Sequence, residues 1–495
     1  MSFSSWLRSK TISRPNRPAS RFRPTLEMLE DRCVPATFLV NTTADVLGHA
    51  NGMLSLRQAI IDANATPKAD IIVVPAGTYK LALAGGNEDA GFTGDLDISG
   101  DVKIKGAGAG ATIVDAAGLD RVFHVLGGAD VTLSGMTIQG GALSNLDADD
   151  LGLLRGGGIR NEGTLIVQDD ILTGNSTQST IDFPGFGGGI YNYNSGTLTV
   201  SNSTLAGNGA PGLYGSGGAI GNDGALTVRG STFSGNFAGA GGGAIQNVGT
   251  VSVNNSTLGN NSAAGWGGGI WNDSGTLTVS NSTLCGNSAQ NYGGGGIFNF
   301  GGTLTVKGST LSGNSAGGFG GGIESAYSET ATISNSIITG NSAGGGGGGI
   351  ANVYALVDRE VSVLNCIISN NSAVYGGGIY NDATLSVQNS MLISNSANEG
   401  GAIYGETGTL TISNSTVSDN SAIQGGAILN YGTLMIDHST LKGNTASAFG
   451  GGIANFGTLT LSHSKVRRNT APVGADLYNA GVLHLYDSSI GDMYP

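Results

Sequence analysis

Long apolar runs are absent from this sequence, and charged residues are scarce. No stretch approaches 18 consecutive apolar residues, which excludes a transmembrane helix. Charged residues make up 12% of the chain and hydrophobic residues 39%, a balance that permits a buried core and argues against general disorder. Only 10 prolines accompany 88 glycines, and no Gly-X-Y period occurs, so collagen is excluded. This glycine content also disfavours helical repeats, because glycine destabilises helix interiors.

Cysteine is too rare to supply a disulfide framework. The three cysteines are Cys33, Cys285 and Cys366, and this odd number in 495 residues indicates a fold that does not depend on disulfides. If the repeats described below stack, Cys285 and Cys366 lie three coils apart, about 14 Å at a spacing of about 4.8 Å. A disulfide requires Cα atoms within about 7 Å of each other, so we expect two small buried thiols.

Charge divides the chain into two unequal parts. Residues 1–36 hold seven basic and three acidic side chains, a net charge of +4, whereas the whole chain carries −13 and the remainder therefore −17. The acidic remainder argues against nucleic acid or an anionic membrane as a partner. The head is rich in Ser, Arg and Pro and lacks an apolar signal-peptide core, so it is either an export or targeting segment or a disordered basic tail.

One sequence repeat recurs from about residue 156 to residue 495. Its fullest form extends from Gly267 to Ala289, and an aliphatic anchor follows the glycines in every copy. The anchors are Ile159, Ile190, Ile220, Ile245, Ile270, Ile297, Ile323, Ile350, Ile379, Ile403, Ile428, Ile453 and Leu477. Most anchors are 24 to 31 residues apart. A period of this length indicates a solenoid.

Each copy contains short alternating segments such as Leu277-Thr-Val279, which are typical of strands. Three short strands and three turns fit a coil of about 25 residues. The fixed leucine frame of leucine-rich repeats is missing. We therefore predict an all-β, single-stranded right-handed parallel β-helix over residues 141–495.

Two columns of asparagine accompany the anchors. Stacked coils bring identical positions together, so the amides can form hydrogen-bonded ladders, and Asn also suits sharp corners. The first column stands two residues after the anchor and includes Asn192, Asn222, Asn247, Asn272 and Asn299, with Ser325 and Gly405 as exceptions. The second column closes the second strand and includes Asn208, Asn236, Asn261, Asn287 and Asn314. The repeated Asn-Ser-Thr triplets follow from the repeat, and we do not interpret them as glycosylation sites.

Residues 37–140 are predicted to form a cap and the first, irregular coils. Ser55 and Gln58 form a capping-box pattern that opens a helix over about residues 56–64. Such a helix can cover the end of a solenoid core, which otherwise exposes unpaired strands. Strands are expected near 37–42, 71–75, 78–83, 102–105, 111–114, 122–126 and 131–138.

Aromatic residues flank the anchors in two rows. One row stands four residues before the anchor and consists of Phe186, Trp266, Phe319, Tyr375 and Phe449. The other follows the anchor directly and consists of Tyr191, Trp271, Phe298, Tyr380, Tyr404 and Tyr478. Because the anchor points inward, the second row is expected to point outward. It either stacks on sugar faces or a partner surface, or only stacks ring on ring between coils. Its candidate binding residues are Tyr191, Trp271, Phe298, Tyr380 and Tyr404.

Candidate catalytic and metal-binding groups are few. Asp223 and Asp273 share a coil position two coils apart, about 9.6 Å, near the upper limit for an inverting carboxylate pair. Tight turns also favour Asp at such positions. His438 and His463 occupy equivalent sites in adjacent coils, with His484 near the next, and we interpret them as a polar outer column rather than a zinc site. The acidic segment 142–155 is interpreted as a solvated loop. No catalytic residue, metal or cofactor is predicted.

Three resemblances carry further expectations. The segment Phe22–Ala36 resembles the planctomycete extracellular N-terminal motif, which implies export to the cell surface or beyond. The segments Met53–Asn64 and Asp70–Tyr79 resemble the Cys-Ser-Leu-Arg-Glu-Ala (CSLREA) region found before bacterial β-helices, with Leu54 in place of Cys. The motifs Gly-Gly-Ala-Ile at 217–220 and Phe-Ser-Gly-Asn at 233–236 resemble chlamydial polymorphic outer-membrane protein (Pmp) repeats, which implies an adhesin-like envelope protein.

Together these observations predict a non-catalytic, cell-surface or secreted β-helix protein, structural or adhesin-like, that binds polysaccharide or a partner surface. The alternative is a polysaccharide lyase or glycoside hydrolase of the pectin-lyase-like β-helix type. A groove that gathers three acids and a base would favour the enzyme. No nucleic-acid partner is expected, and the oligomeric state is left open.

Overall fold

The computed structural model describes residues 35–85, 88–144, 154–178, 182–328, 330–354 and 360–494. By its contacts the chain divides into Met1–Pro35 and Ala36–Pro495. The predicted export segment, residues 1–36, therefore lies almost entirely outside the described residues, as does much of the acidic segment 142–155.

The described residues from Ala36 onward form a parallel β-solenoid, which confirms the predicted fold class. Every strand pair in the described residues is parallel, and each pair joins one coil to the next. We name the sheets in the order in which one coil visits them. Sheet I holds the anchors, sheet II the five-residue strands, sheet III the strands that follow, and sheet IV the segments before the glycines. The sequence predicted three strands per coil and missed sheet IV, whose strands are mostly Ser-Ala pairs.

The strands of sheet I are Leu96–Ile98, Phe123–Val125, Ile159–Asn161, Ile190–Asn192, Ile220–Asn222, Ile245–Asn247, Ile270–Asp273, Ile297–Phe300, Ile323–Ala326, Ile350–Val353, Ile379–Asn381, Ile403–Gly405, Ile428–Asn430, Ile453–Asn455, Leu477–Asn479 and Met493–Tyr494. Those of sheet II are Thr37–Leu39, Asp70–Val74, Val102–Gly106, Asp130–Ser134, Thr164–Gln168, Thr197–Ser201, Ala225–Arg229, Thr250–Asn254, Thr276–Ser280, Thr303–Lys307, Thr330–Ser334, Glu360–Leu364, Thr384–Gln388, Thr409–Ser413, Thr433–Asp437, Thr458–Ser462 and Val482–Tyr486.

Sheet III consists of Gly77–Lys80, Thr112–Asp115, Thr137–Gln139, Ile171–Thr173, Thr204–Ala206, Thr232–Ser234, Thr257–Gly259, Thr283–Cys285, Thr310–Ser312, Ile337–Thr339, Ile367–Ser369, Met391–Ile393, Thr416–Ser418, Thr440–Lys442, Lys465–Arg467 and Ser489–Ile490. Sheet IV consists of Ala142–Leu143, Ser176–Thr177, Gly209–Ala210, Phe237–Ala238, Ser262–Ala263, Ser288–Ala289, Ser315–Ala316, Ser342–Ala343, Ser372–Tyr375, Ser396–Glu399, Ser421–Gln424 and Thr445–Phe449. Leu154–Arg155 pairs separately with Gly185–Phe186.

The core fills the space between sheets I, II and III. In one coil Ile270, Leu277, Val279 and Leu284 point inward and are fully buried. Equivalent residues of the neighbouring coils lie directly above and below them, so a single hydrophobic core extends along the solenoid. The alternation read from the sequence therefore determines which side chains are buried. Cys366 belongs to this core, and Cys285 is half-buried; both thiols are free.

A single α-helix in the described residues, α1 (Leu56–Asn64), caps the N-terminal end, and a 3-10 helix precedes it at Ala50–Gly52. Ser55 Oγ accepts the backbone N–H of Gln58 at 3.1 Å, as the capping box predicts. The second hydrogen bond of the capping box, from the backbone N–H of Ser55 to the Gln58 side chain, is not formed, and its prediction is wrong. Gln58 instead accepts the N–H of Gly48 and donates to Asp62.

Helix α1 packs against the first strands, and its apolar face joins the core of the solenoid. The adjacent Arg57 is fully buried and pairs with Asp45 at 2.7 Å. Arg57 also donates hydrogen bonds to the carbonyl oxygens of Gly91, Gly94 and Asp95, which ties the helix to the loop beneath it. The helix is thus anchored by both apolar burial and a satisfied buried charge.

Both asparagine columns lie inside the solenoid, the second as a continuous chain of amides and the first as a chain with interruptions at Ser325 and Gly405. In the first column, from Asn161 to Asn299, each Nδ2 donates to the Oδ1 of the next coil at 2.6–2.8 Å. At Ser325 the chain is interrupted, and Asn299 donates to Ser328 Oγ instead. In the second column, from Asn175 to Asn469, the corresponding distances are 2.8–3.1 Å. This column ends on the carboxylate of Asp476.

A serine column accompanies them that the sequence analysis did not predict. In the triplet Asn281-Ser282-Thr283, Asn281 forms the corner with a φ of +49°, and Thr283 begins the next strand. Ser282 between them belongs to a ladder of hydrogen-bonded serines. Ser282 Oγ accepts the backbone N–H of Ser256, and neighbouring coils repeat this bond. The Asn-Ser-Thr triplets are thus corner elements of the fold.

Candidate functional site

The outer face of sheet I carries the residues that follow the anchors. Because strand residues alternate between faces, each of these side chains points away from the core. Tyr191, Gly221, Gln246, Trp271 and Phe298 are paired in register on successive coils. Beside them run the residues just before the glycines, which are also bridged from coil to coil. These two columns form the floor and one wall of a groove.

The groove has a volume of about 810 Å³. Aromatic and apolar side chains supply most of its lining, with polar groups at a few points. The lining includes the polar and aromatic side chains of Arg155, Tyr191, Asp223, Gln246, Trp266, Trp271, Asp273 and Tyr292.

Missing side chains give the groove its depth. Gly221 interrupts the column between Tyr191 and Gln246, so the floor has no side chain there. At Gly241 a β-carbon would lie 2.4 Å from Cε3 of Trp271, closer than any real contact. Glycine at 241 therefore allows the indole of Trp271 to lie flat across the neighbouring coil.

Two buried polar atoms in the groove have no hydrogen-bond partner among the described residues. Gln246 is 4% exposed, and its Oε1 accepts no hydrogen bond; Nε1 of Trp271 likewise donates none. A buried polar group without a partner costs about 1–3 kcal/mol, so native structures rarely leave one. Gln246 Oε1 can therefore accept a hydrogen bond, and Trp271 Nε1 can donate one, to a ligand hydroxyl or to water.

Carboxylates and a cation complete the lining. Tyr191 donates its hydroxyl to Asp223. Burial and this hydrogen bond raise the pKa of the Tyr191 hydroxyl. Burial also raises the pKa of Asp273, two coils along. The guanidinium carbon of Arg155 lies 5.2 Å from the ring centroid of Tyr191. The described lining residues thus include two acids, Asp223 and Asp273, and one basic side chain, Arg155, whereas three acids and a base would favour the enzyme.

The predicted aromatic row is less exposed than the sequence suggested. Tyr191, Phe298 and Tyr380 point away from the core, but only 3%, 5% and 7% of their surfaces are exposed. The three rings point outward as expected, and they are nevertheless buried because the row before the anchors packs over them. Phe319 lies 5.0 Å from Tyr380, and Trp266 lies 6.4 Å from Phe298, centroid to centroid. Trp271 and Tyr404 remain half-exposed.

Further along the same face lies a smaller depression of about 330 Å³. It is lined by Phe319, Tyr375, Tyr380, Glu399, Tyr404 and Glu406. Tyr380 and Tyr404 stack with centroids 5.6 Å apart and planes within 6°, and Tyr380 donates its hydroxyl to Glu406. Four of the five predicted binding residues thus line one depression or the other, and Phe298 lines neither.

Glu324 occupies the outward column between Phe298 and Ala351. It is 7% exposed, and no described residue forms a hydrogen bond or ion pair with it. Its carboxylate lies over Gly293 of the preceding coil, where a β-carbon would come within 1.4 Å of Oε2. Burial raises the pKa of Glu324 to about 8, so this carboxyl is largely protonated at neutral pH.

A charged network that the sequence analysis missed lies at the N-terminal end of the same column. His124 Nδ1 lies 3.2 Å from Asp97 Oδ1, its Nε2 lies 3.5 Å from Glu162, and Arg160 pairs with Glu162 at 2.5 Å. Burial opposes protonation of His124, but its hydrogen bonds to Asp97 and Glu162 outweigh it and raise the pKa. The hydrogen bond from His124 lowers the pKa of Glu162 to about 2.

These groups come from coils about 30 residues apart in the chain, which hides the network from a local reading of the sequence. It gathers acids and bases, and an exposed carboxylate, Asp89, lies 3.6 Å from His124. His124 and Asp97 are themselves 5% and 0% exposed. The buried groups neutralise one another and form a structural ion-pair network outside the groove.

A family model described as "Right handed beta helix region" matches residues 171–320, which gives the hand of the solenoid. Solved structures with similar folds include the A-module of the Azotobacter vinelandii mannuronan C-5 epimerase AlgE4, at 13% identity over 88% of this chain and 94% of that one, with a TM-score of 0.29. They also include a PL6 alginate lyase in complex with a trisaccharide, at 12% identity over 92% and 88%, with a TM-score of 0.34.

The catalytic unit of a GH87 α-1,3-glucanase from Streptomyces thermodiastaticus is similar at 13% identity over 89% of this chain and 66% of that one, with a TM-score of 0.26. No curated protein matches the chain. None of these identities is high enough to carry a function from one chain to another.

Proposed function

We propose that this chain is a non-catalytic β-helix protein that binds a polysaccharide along the outer face of sheet I. The observation that carries the proposal is the pair of unpartnered buried atoms, Gln246 Oε1 and Trp271 Nε1, in an aromatic groove. A sugar ring offers hydroxyl groups that both donate and accept hydrogen bonds, and it offers an apolar face. The two unpartnered polar atoms of the groove match the hydroxyl groups, and its aromatic side chains match the apolar face.

The aromatic side chains that remain accessible support a sugar ligand. Trp266 and Tyr292 stack with centroids 4.4 Å apart and planes within 9°, and Tyr292 is 51% exposed. A flat, rigid aromatic surface of this kind binds a sugar face with little loss of side-chain entropy. The stacked pair is a platform beside the two unpartnered polar atoms.

Charge favours an uncharged glycan over a polyanion. The chain carries a formal net charge of −13, and the groove adds the carboxylates of Asp223 and Asp273 against the single guanidinium of Arg155. A polyuronate would meet repulsion along this face. The smaller depression, several coils further along the same sheet, favours an extended polymer over a single sugar.

Removal of the two tryptophans that line the groove is expected to weaken polysaccharide binding. The double variant Trp266→Ala/Trp271→Ala should weaken retention on neutral polysaccharides by at least about tenfold, since each stacked ring contributes roughly 1 kcal/mol or more. Affinity electrophoresis against a panel of neutral glycans and polyuronates measures it. Tyr431→Ala, an exposed ring outside both depressions, is the matched control. Equal retention of the double variant and the control would refute the proposal.

We also propose that the protein acts outside the cell as an adhesin-like surface module. The support is the resemblance of Phe22–Ala36 to the planctomycete extracellular motif and of the repeats to chlamydial Pmp proteins. Within the described residues no helix is both long and apolar enough to cross a membrane. Fractionation of cells that express the full chain or the chain without residues 1–36 tests export; accumulation of both forms in the cytoplasm would exclude it.

A second candidate function, glycoside hydrolysis with inversion, is favoured by one observation. Asp223 and Asp273 line the same groove two coils apart, about 9.6 Å. Inverting enzymes hold their carboxyls about 6.5–9.5 Å apart, with a raised pKa on the acid. Asp273, whose pKa burial raises, would protonate the leaving oxygen, and Asp223 would activate water.

If this candidate is right, Asp273→Asn abolishes turnover of a groove-binding glycan by about 100-fold or more, while binding persists. Reducing-end release from each glycan that the panel identifies measures turnover. The matched control is Asp382→Asn, a carboxylate of the same face outside the groove lining. Release by the wild-type chain that does not differ from release by Asp273→Asn would exclude the hydrolase.

A further inference from the structure

On the opposite side of the solenoid from the groove residues, the corner between sheets II and III carries a column of residues with positive φ. In the described residues Asn occupies half of these corners, and Gly or Asp occupies most of the others. Near the C-terminal end, His438 and His463 take the position on adjacent coils, with φ +45 and +47. Asn satisfies the same backbone elsewhere, so the fold does not require histidine here.

The two imidazole rings are brought together and faced by a carboxylate. Their centroids lie 4.5 Å apart, with planes within 16°. Asp437 ends its strand beside them, with Oδ2 at 2.8 Å from His438 Nδ1 and Oδ1 at 3.5 Å from His463 Nδ1. The Asp437 carboxylate therefore faces both Nδ1 atoms, and His463 Nδ1 also lies 2.9 Å from Ser462 Oγ. In the neighbouring coils the position of Asp437 is held by Ser413 and Ser462, so the acid is particular to this coil.

The other nitrogen of His463 has a partner of its own. Nε2 of His463 lies 3.6 Å from Oδ2 of Asp487, which holds the next corner of the column. A carboxylate on the far nitrogen of a histidine orients the ring and increases the basicity of the nitrogen that binds metal. The sequence analysis placed His484 at this point; the structure places His484 in the preceding strand and Asp487 at the corner.

We propose that His438, His463 and Asp437 form a binding site for a divalent transition metal, with Zn²⁺ as the ion that suits it best. One ligand atom from each residue lies within 4.8 Å of the other two. Small rotations of these exposed side chains bring all three atoms within bonding distance of one ion. Two imidazoles and one carboxylate suit zinc, at bond lengths of about 2.0–2.2 Å. Three protein ligands leave the fourth position to water or to a group from a partner.

The site is independent of the glycan groove. Its ligands stand at the corner after sheet II, whereas the groove lies on the outer face of sheet I and is lined by residues 155–292. The side chains of His438 and His463 are 55% and 49% exposed, so an ion reaches them without any opening of the fold. A surface metal with an open position is suited to cross-link this protein to a ligand-bearing partner.

Calorimetric titration of the full, untagged chain with zinc chloride tests the proposal. The wild-type chain should bind one ion per chain, and His438→Asn/His463→Asn should lower the affinity by about 100-fold or more. Asn is the residue that other corners use, so this variant keeps the backbone geometry, and an unchanged unfolding temperature verifies it. Asp487→Asn should weaken binding by about tenfold, as expected of a residue that orients a ligand. His484→Asn, an exposed histidine of the neighbouring coil, is the control and should bind as the wild type does.

Cobalt(II) supplies a second readout. In the wild-type chain the ion should give visible d–d absorption typical of nitrogen and oxygen ligands, and this absorption should vanish in the double variant. Two results would overturn the proposal: the wild-type chain binds no stoichiometric zinc, or the double variant binds it as tightly. The second result would place the ion elsewhere, for example at Asp89, Asp97 and His124, whose ligand atoms also lie close together.

Discussion

Replacement of Asn261 by alanine is expected to destabilise the solenoid by about 3–5 kcal/mol. Asn261 is fully buried in the second column. Its Nδ2 donates to the carbonyl of Phe233 and to Asn287 Oδ1, both at 3.0 Å. Its Oδ1 accepts from Nδ2 and from the backbone N–H of Asn236. Alanine removes four bonds and leaves the buried partners unsatisfied.

Thermal and denaturant unfolding followed by circular dichroism measures the loss. Because each coil contacts only its neighbours, hydrogen exchange should show the damage concentrated in the coils beside Asn261. The matched control is Asn281→Gly at an exposed corner with positive φ, where Gly occurs in other coils and little change is expected. A loss at Asn261 no larger than that of the control would show that the ladder contributes no stability.

Replacement of Glu324 by glutamine is expected to stabilise the protein at alkaline pH and to have little effect in acid. Burial raises the pKa of Glu324 from an ordinary value of 4.5 to about 8. The unfolded chain therefore releases the proton at lower pH than the folded chain does. The contribution of this carboxyl to the free energy of unfolding is therefore fully present below about pH 4.5. It decreases as the pH rises and is lost by about pH 8.

Glutamine imitates the protonated carboxyl and does not ionise, so the variant should exceed the wild type by roughly 3–5 kcal/mol above about pH 9. Denaturant unfolding of both chains between about pH 4 and 10 measures the difference in the free energy of unfolding, which isolates Glu324 from the other titrating groups. Glu360→Gln, at an exposed strand end, is the control and should give a flat difference. A difference for Glu324 that does not change with pH would refute the buried-acid interpretation.

Regular spacing made the interior of the solenoid predictable. The anchors and both asparagine columns recur at fixed positions within each copy, and a parallel solenoid stacks equal positions on one another. Asn261 and Asn287 therefore meet in space because they match in sequence. The serine column was not predicted, since serine is common throughout the sequence. Its spacing does not show that Ser282 Oγ accepts a hydrogen bond from the backbone N–H of Ser256. Sheet IV was missed because Ser-Ala pairs carry little strand signal.

The outer face was predictable only in part. Alternation correctly placed Trp271 and Tyr380 outside the core, because it depends only on the pleat. It could not show that the preceding aromatic row folds over Tyr191 and Phe298, since this depends on how the glycine loops return to the sheet. Nor could it show that glycines at 221 and 241 open a groove.

The sequence by itself determined the architecture: a parallel β-helix with a helical cap, a hydrophobic core behind the anchors and amides within it. It could do so because each of these features repeats from coil to coil, and a repeated pattern translates directly into a stacked one. Only the tertiary structure decided what the side chains at matching positions do: Gln246 and Trp271 each leave a buried polar atom without a partner, Asp97 and Glu162 face His124, and Asp437 lies beside His438 and His463. The period brings such residues onto neighbouring coils, but their side chains differ from the repeat, so their contacts depend on loop paths and rotamers. The candidate sites of this protein lie where the side chains depart from the repeat.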